Sequence, residues 1–260
     1  MRKYQVALVI ASALMIAGCN EASKSHRSSV SDPRTFVIVH GAWGGGWAFR
    51  EIDDLLTTAG HRVYRPTLTG QGERVHLASP DVNLDTHIED VINTLQFEDL
   101  HNIVLVGHSY GGIVVTGVAD REPNRIRHLI YLDAFIPEDG DSWRSMSGAG
   151  AARLDEMIGD KGLVPPWTSP DDPRPKDVPH PTGSYEQSIR LSGASDNIPA
   201  SYILTTEDPS RPGVDEFFGF AELARSRDWP VYNLTSDHNP QWSNVNDLAE
   251  MLDMISRLPE

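Results

Sequence analysis

Residues 103 to 115, IVLVGHSYGGIVV, set a serine between two glycines at the end of an apolar run. Ile103 to Val106 reads as a buried strand, and the apolar density of a helix resumes from Gly111 to Val118. Glycines at 107 and 111 let strand and helix approach closely enough for a sharp turn that holds Ser109 clear of the backbone in a strained conformation. A serine hydroxyl is a weak nucleophile unless a base stands beside it. The turn therefore asks for a strand before it, a helix after it, and a histidine and a carboxylate at the same sheet edge. A glycine-rich turn of purely structural purpose is the alternative reading, and the strand and helix flanking this one argue against it.

Along the rest of the chain strands and helices alternate. TFVIVH (35 to 40) is a short β-branched run, followed by the glycine-rich GAWGGGW and then by Phe49, Ile52, Leu55 and Leu56 at helical spacing. HRVYRP is a second strand and Leu84 to Leu95 a second helix; IRHLIYLDAF, ASYILTTED and WPVYNLTSDH give three strands beyond NIVLVGH. GVDEFFGFAELARS reads as a helix, and Val245, Leu248, Leu252 and Ile255 form a final helical stripe. Fully apolar strands between helices predict a mostly parallel sheet covered on both faces, with ligands bound beyond the carboxyl ends of its strands. Residues 138 to 198 interrupt the alternation with no clear strand and with prolines at 165, 166, 170, 173, 175, 179 and 181. That segment is expected to sit over one end of the sheet as a cap, where Trp143 and Trp167 either line a pocket or fasten the cap.

The ends and the charge narrow the setting. Arg2 and Lys3 precede an apolar run from Val6 to Ile16, too short to span a bilayer but laid out like a secretory signal. It closes on Ile16-Ala17-Gly18-Cys19, which resembles the bacterial lipoprotein signal, in which the cysteine becomes lipidated and N-terminal. The expected organisation is therefore a signal over 1–18, a flexible tether over 19–33 and one catalytic domain over 34–260, with the cap at about 138–198. Lipid on Cys19 would hold the protein on the periplasmic side of a bacterial membrane. Asn20, where Asp would resemble an inner-membrane retention signal, leans towards the outer membrane in a Gram-negative host. Because Cys19 is the only cysteine, no disulfide is available, and an acylated Cys19 leaves no thiol for catalysis. A formal charge of -15 without any run of Lys and Arg excludes a nucleic-acid surface.

Among ten histidines, His238 stands out, because LTSDHNPQW follows the last strand and precedes the final helix, returning a loop to the edge that carries Ser109. His61, His76, His87 and His101 read as members of polar connections, His40 and His108 as structural groups bordering strands, and His180 in the cap as the weaker rival. For the orienting acid, Asp208 directly follows SYILTT and gives the order Ser, Asp, His; Glu207, Asp133 and Asp237 compete for the place. The oxyanion formed by attack on a carbonyl needs prearranged N–H donors, assigned to Tyr110 after the nucleophile and to Ala42 in the loop HGAWGGGW. That loop shows neither G-x-G-x-x-G with an acidic ribose ligand nor a Walker lysine, so phosphate binding is not supported.

HGAWGGGW, GHSYGG, LDAFIPEDG, TTED and SDH, in this order over roughly residues 35 to 258, resemble the α/β-hydrolase superfamily. The likeness is closest to the branch of plant methylesterases, hydroxynitrile lyases and bacterial pyrethroid-type esterases. It implies the α/β-hydrolase fold, with the cap inserted before the acid-bearing strand. Carried over by position, Ser109, Asp208 and His238 match the triad, and Ala42 and Tyr110 the oxyanion donors. The implied activity is hydrolysis of a small-molecule carboxylic ester through an acyl-enzyme, with no metal or cofactor. Amide, lactone or carbamate hydrolysis, cyanohydrin cleavage and a non-catalytic lipoprotein scaffold are the alternatives. Lyases of this branch carry a threonine after the first motif histidine and a lysine after the catalytic one; here Gly41 and Asn239 stand there. The irregular cap between 160 and 190 departs from the branch's mostly helical one.

Overall fold

The computed structural model describes residues 32–207 and 217–258. Its centre is a six-stranded parallel sheet made of β1 (Thr35–Val39), β2 (Arg62–Tyr64), β3 (Ile103–His108), β4 (Ile126–Leu132), β7 (Ala200–Thr206) and β8 (Val231–Thr235). The spatial order is β2-β1-β3-β4-β7-β8. The chain leaves β1 for one side, forms β2, and returns to place β3 on the other, so β1 and β3 flank a topological switch point. Loops leaving such a pair diverge and open a crevice, and both the oxyanion loop and Ser109 follow these two strands.

Residue alternation divides the core in two. Val37, Val39 and Leu105 pack on one face with α2 (Leu84–Phe97), α3 (Gly111–Arg121) and α7 (Phe218–Ser226). Phe36, Ile38, Val104 and Val106 pack on the other with α1 (Arg50–Thr58) and α9 (Val245–Ser256). Every β3 residue is buried, as its unbroken apolar run predicts for a central parallel strand. In α1, Ile52 and Leu56 face the core while Leu55 turns outward. Asn83 caps α2 by accepting from the Thr86 N–H, and the Thr86 hydroxyl in turn accepts from the Asn83 N–H, a reciprocal cap that stabilises a helix start by about 1 kcal/mol. The helix expected over 213–226 is found as α7, and its residues up to 216 lie outside the described ones.

The cap between β4 and β7 is more ordered than its prolines suggest. It holds α4 (Trp143–Met146), α5 (Ala151–Asp155) and α6 (Thr182–Glu186). It also holds a two-residue antiparallel pair, β5 (Ile158–Gly159) with β6 (Gly162–Leu163), which sequence periodicity is too short to register. Leu163 bridges His180, and the Val178 N–H donates to the Trp43 carbonyl at 2.9 Å, so the cap is fastened to the oxyanion loop by backbone bonds. A short helix α8 (Pro240–Ser243) leads from β8 into α9. Among the described residues, no helix is long and apolar enough to cross a membrane.

Candidate active site

Ser109 takes φ of 55°, a left-handed conformation rarely adopted by serine, as the turn between β3 and α3 requires. Its N–H donates to the Leu132 carbonyl at 3.2 Å, and its carbonyl accepts from Gly112 at 3.0 Å and Phe135 at 3.3 Å. The strained residue is thereby tied to the ends of β4 and α3. A Cβ at Gly111 would lie 2.6 Å from the Val39 carbonyl oxygen, and one at Gly107 would lie 2.7 Å from the Gly111 oxygen. The two glycines are steric requirements of the turn.

His238 stands in the loop after β8. Its Nδ1–H donates to Asp133 Oδ2 at 2.6 Å, and its ring stacks on Phe217 at 4.7 Å with an interplanar angle of 3°. Asp133 is buried at the end of β4, and its other oxygen accepts from the Thr205 N–H at 3.1 Å. His108, the residue before the nucleophile, donates from Nε2 to the His238 carbonyl at 2.8 Å, and the two rings lie 4.9 Å apart. Burial pushes the His108 pKa down to about 3, so the ring stays neutral. Neither Ser109 Oγ nor His238 Nε2 makes a hydrogen bond among the described residues.

One of the competitors for the orienting acid, Asp133, is thus the carboxylate that bonds His238 among the described residues. Asp208 itself lies outside the described residues, as does Cys19. Both aspartates follow an apolar strand in the sequence, Asp133 after β4, which lies beside β3, and Asp208 after β7, which lies beside β8. Of the other competitors, Asp237 accepts from the Asn239 N–H and the Ser243 hydroxyl, away from the imidazole. His180 is fully buried and bonds Ser184 Oγ at 2.7 Å, without a carboxylate partner.

The loop that holds Ala42 lies beside the turn that holds Ser109 and Tyr110. A Cβ on Gly41 would lie 3.0 Å from Ser109 Cβ, so the loop after β1 rests directly against the turn. The N–H groups of Ala42 and Tyr110 donate to no acceptor among the described residues. Two histidines read from sequence as bland secure them. His40 Nδ1–H donates to the Gly41 carbonyl at 2.7 Å while Nε2 accepts from the Leu68 N–H at 3.1 Å, fixing the peptide unit whose other end is the Ala42 N–H. His87 is inside α2 and not in a polar connection: Nε2–H donates to the Thr69 carbonyl at 2.9 Å, and Nδ1 accepts from the Tyr110 hydroxyl at 2.8 Å. Burial lowers both pKa values to about 4, which keeps these tautomers neutral. The signal for His87 was its helical phase with the buried Ile88, Val91 and Ile92.

Trp43 follows Ala42 with φ of 65° and meets Trp143 at 5.6 Å and Trp167 at 5.1 Å, both edge-on. Trp143 is buried against Tyr110, His180 and Tyr185 and fastens the cap; Trp167 is 54% exposed and forms an open aromatic wall beside the oxyanion loop. No group of His, Cys, Asp and Glu that could hold a metal occurs among the described residues.

Comparison with known proteins places the fold in a family. The model of the alpha/beta hydrolase family matches residues 36–251. A carbendazim hydrolyzing esterase of Nocardioides sp. (strain SG-4G) is 40% identical over 245 residues, covering 84% of this chain and 97% of the relative. The alpha-hydroxynitrile lyase of Arabidopsis thaliana is 35% identical over 104 residues, 40% of each chain. Among solved structures, an extracellular alpha/beta-hydrolase from a Paenibacillus species superposes with a TM-score of 0.73 at 24% identity, covering 87% of this chain and 100% of that one, a likeness of fold.

Proposed function

Because the chain belongs to the alpha/beta hydrolase family, we propose that it cleaves a small carboxylic ester through an acyl-enzyme on Ser109, with His238 as general base and Asp133 as its orienting acid. Ester hydrolysis is the activity for which its 40%-identical relative is named, and that relative is covered over almost its whole length. The observation that carries the finer reading is the 2.6 Å bond from His238 Nδ1 to buried Asp133, at the sheet edge where Ser109 is held at positive φ.

The steps follow from these positions. Asp133 holds the imidazole proton on Nδ1, leaving the Nε2 lone pair to take the Ser109 proton as Oγ attacks the ester carbonyl. Negative charge then develops on the carbonyl oxygen, where the N–H groups of Ala42 and Tyr110, held by His40 and His87, need no reorganisation to receive it. Imidazolium Nε2–H protonates the departing alcohol. Water activated by the same nitrogen then releases the acid and restores Ser109.

The name of the carbendazim hydrolyzing relative makes carbendazim a second candidate substrate for the same steps. Cyanohydrin cleavage is disfavoured, because Gly41 supplies no hydroxyl and a Cβ there would already lie 3.0 Å from Ser109 Cβ, and because Asn239 offers no cation, its side-chain oxygen accepting from Gln241. Lipid attachment through Cys19, with placement on the periplasmic side of a bacterial membrane, is part of the same proposal and rests on the sequence of the leader. A p-nitrophenyl ester chain-length panel, extended to methyl and aryl esters, tests the activity. Ser109→Ala should lower turnover by about four to six orders of magnitude with the fold retained, and activity within about tenfold of wild type would refute the acyl-enzyme.

A further inference from the structure

Asp177 lies in the cap beside the oxyanion loop, and its carboxylate is half-buried without a cation. Oδ2 accepts from the Trp167 indole N–H at 2.8 Å, and Oδ1 would lie 4.0 Å from a Cβ placed on Gly44, two residues beyond the donor Ala42. No Lys, Arg or His pairs with it among the described residues; the ammonium of neighbouring Lys176 is turned to the carbonyls of Ser169 and Pro170. Burial accordingly pushes the Asp177 carboxyl above the usual carboxylate range. A partly desolvated anion gains most from a positive charge or strong N–H donor brought to it. The surroundings specify the shape of that group. Trp43 and Trp167 pack edge to face at 5.1 Å and 83°, and Trp167, 54% exposed, presents open aromatic surface beside the carboxylate to which it donates. Trp faces also attract cations.

We infer that Trp43, Trp167 and Asp177 form a subsite for a planar aromatic group carrying an N–H donor or a positive charge, so that the esters preferred by this enzyme bear such a group. This rests on the esterase reading and deepens it by naming part of the substrate. The subsite adjoins the loop after β1 through the Val178 N–H to Trp43 carbonyl bond and the Trp43–Ala42 chain link.

Benzamidine, a planar aromatic cation, and benzamide, its neutral isostere, are the probes. Calorimetric titration of the wild-type protein should show benzamidine binding about tenfold or more tightly than benzamide, with benzamidine competing against p-nitrophenyl acetate. In Asp177→Asn, which keeps the Trp167 hydrogen bond and removes only the charge, the two affinities should converge to within about threefold; Trp167→Leu should weaken both. The inference is overturned if wild type does not bind benzamidine, if it fails to distinguish the two probes, if Asp177→Asn retains the distinction, or if inhibition is not competitive. The wild-type discrimination needs no variant to fold. Absence of ester turnover with Asp177-dependent benzamidine binding intact would instead refute the esterase reading alone.

Discussion

Replacing Asp133 by asparagine separates the two carboxylates that the sequence offers to His238. The change is nearly isosteric, and an Asn oxygen can still accept from the Thr205 N–H, now 3.1 Å from Oδ1, so the end of β4 keeps its bond to β7. The other position then carries an NH2 group 2.6 Å from a ring nitrogen that also bears hydrogen. Two donors cannot share that distance, so the imidazole moves its proton to Nε2, where it faces Ser109 and can accept nothing. The wrong tautomer in a serine triad costs on the order of 10⁴ in kcat, equivalent to about 5 kcal/mol of barrier. Initial rates of p-nitrophenyl acetate hydrolysis, normalised by active-site titration, measure it, with the melting temperature as a check on folding. Asp208→Asn, made in parallel, should change kcat by less than about threefold. An Asp133→Asn enzyme within about tenfold of wild type, or an Asp208→Asn enzyme damaged more severely, would refute the assignment.

Three further outcomes are expected. His40 and His87 are held neutral with folded pKa values of about 4 against an ordinary 6.5, so the unfolded chain binds more protons between those limits. Stability should be full above pH 6.5 and fall towards pH 4, by on the order of 3 kcal/mol for each ring; a urea midpoint unchanged between about pH 7 and about pH 4.5 would contradict this. Mandelonitrile should release no cyanide above background from a protein that hydrolyses activated esters, and efficient cyanide release without turnover of any ester or lactone would reverse the choice between hydrolase and lyase. Wild-type protein expressed with its leader should fractionate with membranes and Cys19→Ser with the soluble periplasm, since two or more acyl chains give lasting attachment; equal release of both would remove the lipid anchor.

The alternation of strands and helices and the strained turn at Ser109 were legible in the sequence because each is local. Ile103–His108 reads as buried strand, and the two glycines around Ser109 serve a turn whose steric demand lies within a few residues. The loop that carries His238 was legible from its place after the last strand. Asp133, the carboxylate that bonds its Nδ1, was read only as a competitor, because Asp133 and Asp208 carry the same local signal, an aspartate just past an apolar strand. That Asp133 meets an imidazole 105 residues further along the chain is a long-range fact that no window of sequence contains. His40 was read as a structural group bordering its strand, and it is one, but its partner Leu68, like the partners Thr69 and Tyr110 of His87, lies across the fold where no window of sequence shows it. In the cap, proline density correctly marked irregular backbone but concealed the two-residue strand pair and the aromatic packing of Trp143.

The central claim is that the hydroxyl of Ser109 forms a covalent bond to the acyl group. Diethyl p-nitrophenyl phosphate converts such a serine to a stable phosphoryl ester that cannot turn over, and mass spectrometry of the digested protein locates it. The account predicts one adduct per chain, on the peptide containing Ser109, rising in step with loss of ester hydrolysis and absent from Ser109→Ala. Complete inactivation with Ser109 unmodified, or an adduct on another residue that tracks the lost activity, would contradict it.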